Sequence, residues 1–170
     1  RFEVPADVDI LALSDLQSYT SYSFWFGAQE NLPALPGPDT RVSNYTQRRV
    51  LWTLDWMQAR RGAASDPERV YVVGGSMGAI GGMYLLEEAP ERFAAAFFRN
   101  GLYDLQADDY RNPGAFGGLF GALKLNLPTL SGLPILTRTK SLAMSRLEPA
   151  REWPLIRTIN GRNDDTVGWS

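Results

Sequence analysis

The chain has 170 residues, of which 44% are hydrophobic and 21% are charged, so its size and composition fit one globular domain. A formal net charge of −2 provides no broad basic surface, which disfavours nucleic acid as a partner. No apolar run approaches the ~20 residues that cross a bilayer. Cysteine and histidine are both absent, which argues against disulfides and ordinary transition-metal sites, and no cofactor is expected.

The two ends of the sequence resemble cut edges. The chain begins at Arg1, with neither an initiator Met nor a signal peptide, and it stops within a polar turn at Ser170. We therefore expect a piece of a longer protein, with further segments of its own domain at both ends. The missing signal peptide then says nothing about the compartment.

The first part of the chain predicts one strand, an aromatic cluster and a loop. Val8–Leu13 is an apolar run of strand length and predicts a buried strand. An aromatic cluster follows at Tyr22–Phe26, and residues this dense in aromatic rings are usually found in a core. Residues 31–39 are rich in proline, which predicts a loop.

A long helix is expected next. Ser43 is a suitable N-cap for a helix that runs to about Arg61, and Gly62 is a suitable stop. Apolar residues recur at helical spacing along this segment. Trp52 and Trp56, one turn apart, are expected to be packing residues.

Strands and helices then alternate. Val70–Val73 predicts a strand, Met77–Glu88 predicts a helix that Pro90 stops, and Phe93–Phe98 predicts another strand. The last strand is expected at Leu155–Ile159. This alternation predicts an α/β fold, with a mostly parallel sheet that has helices on both faces and is incomplete at both ends.

Residues 104–150 interrupt the alternation because they are rich in glycine, leucine and proline. We expect a single partial domain over residues 1–170, with its core in 1–103 and 151–170 and a cap-like insertion in 104–150. Two roles fit the insertion equally well. It is either a mobile lid over an apolar pocket or a helical excursion that completes the core.

The strongest chemical signal is the segment 74–78, which reads G-G-S-M-G and fits the pattern G-x-S-x-G between a predicted strand and a predicted helix. A sharp turn in that setting projects a serine oxygen, and the helix N-terminus offers N–H groups to an oxyanion. Ser76 is therefore the candidate nucleophile, and the backbone N–H of Met77 is the candidate oxyanion donor. The alternative is a glycine-rich turn whose serine only caps the helix.

Residues 66–78, DPERVYVVGGSMG, resemble the corresponding region of α/β-hydrolases, in particular the esterase and prolyl-oligopeptidase-like branch, in which a D-P-x-R-[IV] turn precedes the nucleophile strand. Residues 91–96, ERFAAA, are similar to the next strand of that family. The likeness covers roughly residues 43–104 and 154–167. It implies an α/β-hydrolase fold and a serine hydrolase that works through an acyl-enzyme.

The resemblance also implies an acid after a later strand, in a G-x-x-D-x-x-V turn. Residues 161–167 fit this pattern with Asp164 as the acid, and the order of serine before aspartate is that of the family. The adjacent Asp165 is the residue most easily mistaken for this acid. The alternative is that both aspartates are present only because aspartate is favoured in turns. Asp104, just after the preceding strand, is the reserve candidate.

A serine nucleophile needs a base, which in this family is a histidine downstream of the acid. The chain contains no histidine, so we expect one beyond Ser170 and an inactive fragment without it. Lys124 and Lys140 are alternatives in principle, although neither lies in a motif for Ser–Lys chemistry. The second oxyanion donor is expected upstream of Arg1.

Arg99, Asn100 and Trp25 are candidates for contacts with the substrate because each follows a predicted strand at the same edge of the sheet. The alternative is that they are ordinary loop or core residues. No metal-binding residues are assigned.

The sequence thus predicts a serine hydrolase that cleaves small-molecule carboxylic esters, or alternatively peptides. The competing hypothesis is a non-catalytic hydrolase-like binding module that has lost its catalytic histidine. The family likeness slightly favours a location outside the cytoplasm, which the residues themselves leave open.

Overall fold

Strands and helices alternate through the middle of the chain, as the sequence predicts. The computed structural model describes residues 7–17, 21–32, 34–105 and 114–164. In chain order the elements are β1 (Leu16–Gln17), β2 (Ser21–Tyr22), β3 (Ala28–Gln29), β4 (Val42–Ser43), α1 (Tyr45–Arg61), β5 (Tyr71–Gly75), α2 (Met77–Glu88), β6 (Ala95–Arg99), α3 (Gly114–Phe120), α4 (Ile135–Arg138), α5 (Ser141–Leu147) and β7 (Leu155–Ile159). The α2 and β7 bounds are those predicted, whereas β5 and β6 lie one or two residues further along the chain.

The main sheet has three strands in the order β5-β6-β7, and both pairings are parallel. Val73 lies opposite Phe97, which in turn lies opposite Arg157. Helix α2 makes the crossover from β5 to β6, and residues 100–154 connect β6 to β7. The predicted α/β class with a parallel sheet is confirmed.

One face of this sheet carries the core. Val72 and Ile156 lie on it with the fully buried Phe98, in one cluster with residues of α1 and α2 such as Leu54 and Leu86. The opposite face carries large exposed apolar side chains in the described part of the chain, namely Tyr71, Val73, Leu155 and Ile159. The described helices α1 and α2 therefore pack against the first face.

The prediction of a strand at Val8–Leu13 is wrong, because these residues join no ladder of the described sheets. They lie beside α1 instead. The Arg61 guanidinium pairs with the Asp9 carboxylate, and Arg49 donates to the carbonyl of Ser14 at 2.8 Å. An apolar run of strand length becomes a strand only if another strand accepts its hydrogen bonds. Here one arginine of α1 binds the side chain of Asp9, and another binds the carbonyl directly after the run.

Helix α1 begins one residue later than expected. Asn44 is its N-cap and makes no side-chain capping bond, whereas Ser43 belongs to the short strand β4. Gly62 ends the helix with a φ of 52°, a conformation that suits glycine. The expectation that Trp52 and Trp56 are packing residues is wrong, since their side chains are 65% and 49% exposed.

The described part of the insertion belongs to a second buried cluster, distinct from the one on the face of the sheet. Phe116, Phe120 and Ile135 are at most 1% exposed and form one cluster with Phe26 and Tyr84. The rings of Phe26 and Phe120 meet edge to face, with centroids 5.8 Å apart. Of the two roles considered for residues 104–150, completion of the core is the one that these residues fit. Residues 106–113 lie outside the described part.

Arg138 fastens the insertion to the last turn of α2. It is 4% exposed, and its Nη1 and Nη2 donate to the carboxylates of Glu87 and Glu88 at 2.8 Å each. Burial raises the pKa of Glu87 to about 7, although the positive charge of Arg138 acts in the opposite direction. Arg151 adds bonds to the carbonyls of Glu87 and Glu88, where the helix leaves its last acceptors unpaired.

Candidate active site

Ser76 is the single residue between strand β5 and helix α2. Strand β5 ends at Gly75, α2 begins at Met77, and Ser76 joins them with φ 51° and ψ −121°. A positive φ is uncommon for a residue with a side chain and costs about 1–3 kcal/mol. The surrounding structure therefore holds Ser76 in a strained conformation, and the residue is exposed.

The first glycine of the motif, Gly74, explains how the turn can be so tight. A Cβ atom at Gly74 would lie 2.3 Å from the carbonyl oxygen of Gly78, so any side chain there would push the start of α2 away from β5. Glycine at position 74 thus has a steric basis in this chain, whereas a Cβ atom at Gly78 would meet no other atom within 4 Å. Gly74 lets the first turn of the helix approach the end of the strand.

Backbone bonds hold Ser76 on both sides. Its N–H donates to the carbonyl of Arg99 at 2.8 Å, and its own carbonyl accepts from the N–H groups of Ala79 and Ile80. Its side chain makes no capping bond to the helix. The alternative that Ser76 serves only as a helix cap therefore does not fit the geometry. Met77 is the first helical residue, where backbone N–H groups have no acceptor within the helix.

The carboxyl ends of the three strands bring the candidate residues to one edge. Gly75, Arg99 and Ile159 are register partners, so the residues after them begin the turns of β5, β6 and β7 at the same level. Neighbouring strands lie ~4.8 Å apart, which places the turn after β7 about 10 Å from the backbone of Ser76.

Asp164 lies in that turn. Its N–H donates to the carbonyl of Gly161 at 3.2 Å, which closes residues 161–164 into a turn, and the residue is half-buried. The remainder of the predicted motif, Asp165 to Val167, lies outside the described residues. Ser76 and Asp164 are thus both placed beyond the carboxyl ends of parallel strands.

The reserve candidate Asp104 has a different environment. Its Oδ2 is 2.6 Å from the Nζ of Lys140, and the two residues also form an isolated antiparallel bridge. This pair ties the start of the insertion to the start of α5. The same contact engages Lys140, one of the two lysines considered as a base.

Comparisons with known proteins agree with this architecture. The prolyl oligopeptidase family matches residues 44–117. A solved structure of an S-formylglutathione hydrolase from Agrobacterium tumefaciens is 20% identical with a TM-score of 0.55, and the match covers 85% of this chain and 45% of that one. The chain has an α/β-hydrolase fold. It spans about half the length of that neighbour.

A second solved structure, an enterobactin esterase from Shigella flexneri in the presence of 2,3-dihydroxy-N-benzoyl-glycine, is 21% identical with a TM-score of 0.35. That match covers 72% of this chain and 34% of the esterase. The comparison with curated proteins gave no match. The fold assignment depends on the first structure.

Within this α/β-hydrolase fold, Arg99 and Asn100 take different positions. Arg99 is exposed and is the last residue of β6. Asn100 is half-buried with a φ of 53°, and its Oδ1 accepts from the N–H of Gly161 at 3.2 Å. Its side chain is therefore bound to the turn that carries Asp164, which the prediction of a substrate contact did not anticipate.

Trp25 packs against the helix that follows Ser76. A Cβ atom at Gly81 would lie 2.0 Å from the Cβ of Trp25, so only glycine allows this approach. Phe24 and Trp25 both have positive φ angles, 50° and 60°. The turn at Phe24 and Trp25 thus packs against α2, and Trp25 remains half-exposed.

A buried network that the sequence did not indicate holds this aromatic turn. Asp15 is 4% exposed and accepts from the N–H groups of Ser23 and Trp25 at 2.9 and 3.0 Å. The Ser23 hydroxyl also bonds to Asp15 and lies 2.7 Å from the Thr46 hydroxyl at the start of α1. Nothing in the spacing of these residues points to their meeting, since it depends on the packing of β1 and α1.

Residues that could bind a metal do not gather in the described ranges, where no three Asp or Glu side chains come together. Nor does any helix in these ranges have both the length and the apolarity needed to cross a membrane.

Proposed function

We propose that this protein is a serine hydrolase that cleaves carboxylic esters through an acyl-enzyme, with Ser76 as the nucleophile. The observation that carries the proposal is the strained turn of Ser76 at the carboxyl edge of a parallel sheet. In this turn the Ser76 hydroxyl makes no capping bond to the helix. The prolyl oligopeptidase family match and the α/β-hydrolase fold support it.

In the proposed reaction, the Ser76 oxygen attacks the carbonyl carbon of the ester, and a base accepts the hydroxyl proton. The ester oxygen leaves as an alcohol with that proton, and the acyl group stays on Ser76. Water then releases the acid and restores the hydroxyl. The Met77 N–H would stabilise the oxyanion, while Asp164 would orient the base.

The base is a histidine in our proposal, and this chain contains none. Activity therefore requires a histidine from the rest of the natural protein. Peptides are the alternative substrate class, for which the family match is the support. A panel of p-nitrophenyl acyl esters and aminoacyl p-nitroanilides would rank the two classes.

The decisive test is covalent labelling of the natural full-length protein with a fluorophosphonate probe, followed by mass spectrometry of the labelled peptide. We expect one adduct on Ser76, its absence in Ser76→Ala, and its retention in the matched control Ser65→Ala. If the folded protein stays unlabelled while a known serine hydrolase in the same tube reacts, the proposal fails and a binding module is favoured.

A further inference from the structure

Two asparagine side chains join the turn after β6 to the turn after β7. The Oδ1 of Asn100 accepts from the N–H of Gly161 at 3.2 Å, and the Nδ2 of Asn160 donates to the carbonyl of Gly101 at 2.9 Å. The N–H of Asn100 also donates to the carbonyl of Ile159 at 2.9 Å. These bonds continue the contact between the two strands past their last register pair.

The backbone at Asn100 restricts which residue can do this. Its φ of 53° lies in the left-handed region, which glycine, asparagine and aspartate tolerate better than other residues. Glycine would fit the backbone but has no acceptor for the N–H of Gly161. Asparagine meets both requirements at once.

The fastened turn is the one that carries Asp164. Gly161 is held by Asn100, and its own carbonyl accepts the N–H of Asp164 at 3.2 Å. A shift of Gly161 would therefore shift the carboxylate of Asp164. Misplacement of a catalytic group by ~1 Å can reduce a rate about 100-fold.

We infer that Asn100 and Asn160 are positioning residues that set the place of Asp164 relative to Ser76. The inference rests on the proposed function. It gives Asn100 a role different from contact with the substrate, and it brings Asn160 into the site without contact with reacting atoms.

The test uses the natural full-length protein and p-nitrophenyl acetate. Asn100→Gly keeps the left-handed backbone but loses the acceptor, and we expect kcat to fall about tenfold with KM unchanged. Asn100→Asp keeps both the left-handed backbone and the acceptor oxygen, so its kcat should stay within about twofold of the wild type. Asn160→Ala removes the opposite bond at a residue without a positive φ, and the same fall in kcat is expected.

The chain offers a matched control in Asn126. Its φ is 45°, and its Oδ1 accepts from the N–H of Leu136 at 3.0 Å, in the insertion. Asn126→Gly thus makes the same exchange away from the turn of Asp164. We expect its kcat to stay within about twofold of the wild type. An equal loss in Asn126→Gly would mean that the Asn100 effect is a general loss of stability, and the inference would be wrong.

A double variant separates positioning from other effects. With Asp164→Asn already present, Asn100→Gly should lower kcat by less than about twofold further, because the carboxylate that it positions is gone. A full tenfold loss in that background would overturn the inference, as would an unchanged kcat in both Asn100→Gly and Asn160→Ala. Fluorophosphonate labelling of the wild type distinguishes the failures. An unlabelled wild type defeats the proposed function and this inference together, whereas a labelled wild type with an unchanged kcat in both variants defeats this inference alone.

Discussion

The two ends of helix α2 differ in exposure, in backbone strain and in charge. Its first residue follows Ser76, an exposed residue with a strained backbone. Its last turn, about 16 Å further along, carries Glu87, which is 2% exposed and paired with the buried Arg138. One end offers a hydroxyl to solvent, and the other buries charge against the insertion.

Backbone strain and stabilising contacts therefore lie at opposite ends of this helix. At the N-terminal end Ser76 needs access and an unusual backbone, so this residue itself contributes little burial. The C-terminal end fastens the helix through charged hydrogen bonds to Glu87 and Glu88, which resist displacement because a buried charge without a partner is costly. Substitutions at the first end should therefore change activity, and those at the second should change stability.

The largest effect is expected at the edge of the sheet that carries Ser76 and Asp164. Asp164→Asn should lower kcat of the natural full-length protein by about 1,000- to 10,000-fold, because the base loses the carboxylate that orients it. The free energy of unfolding should change by less than about 0.5 kcal/mol. Steady-state ester hydrolysis and urea unfolding measure the two quantities.

Asp165→Asn and Asp104→Asn are the controls for this prediction. Both should retain most of the activity. If Asp165→Asn causes the loss instead, the acid is Asp165 and not Asp164, while the difference in exposure and pairing between the two ends of α2 is unaffected.

The next effect is expected at the other end of the helix. Arg138→Met should lower the free energy of unfolding by about 3 kcal/mol, because it leaves the buried Glu87 without its cation. Glu87→Gln in the same chain should recover part of this loss. Arg151→Met, at a side chain that is 28% exposed, should cost less, about 1 kcal/mol. Equal losses of unfolding free energy in Arg138→Met and Arg151→Met would mean that the buried arginine contributes no more to stability than the more exposed one.

The smallest of the three main effects is a dependence on pH. The pKa of Glu87 is raised from 4.5 to about 7, so the folded state binds this proton more tightly than the unfolded state. The resulting stabilisation is complete below about pH 4.5 and is lost as the pH rises through about 7. Urea unfolding at pH 5 and pH 7.5 should therefore differ by about 2 kcal/mol more in the wild type than in Glu87→Gln.

Glu88→Gln is the matched control, since the same arginine binds Glu88 but its side chain is 32% exposed. Its stability should follow the wild-type dependence on pH. A Glu87→Gln variant that also keeps the full dependence would show that the titrating group lies elsewhere.

Local patterns predicted the elements whose neighbours are close in sequence. Helix α2 and strand β7 have the predicted bounds, because the glycines, the proline and the β-branched residues that delimit them act locally. The strand expected at Val8–Leu13 and the packing expected of Trp52 failed. Both depended on a partner from a distant part of the chain, which hydrophobicity alone does not specify.

The candidate site divides in the same way. The turn at Ser76 and Met77 could be predicted from the sequence because five adjacent residues create it. The bonds from Asn100 to Gly161 and from Asp15 to Trp25 could not, since each joins residues from separate elements. Nor did composition decide between a lid and a packed excursion in the insertion, because glycine and leucine suit both.

Residue types and their spacing over a few positions are sufficient to predict an α/β fold and a serine on a tight turn between strand and helix. Three features depend instead on tertiary packing: the positive φ of Ser76 without a capping bond, the bond from Asn100 to the turn of Asp164, and the attachment of the insertion to α2 by Arg138. Those features arise where distant segments pack together, and the free energy of such contacts depends on geometry that no local pattern contains.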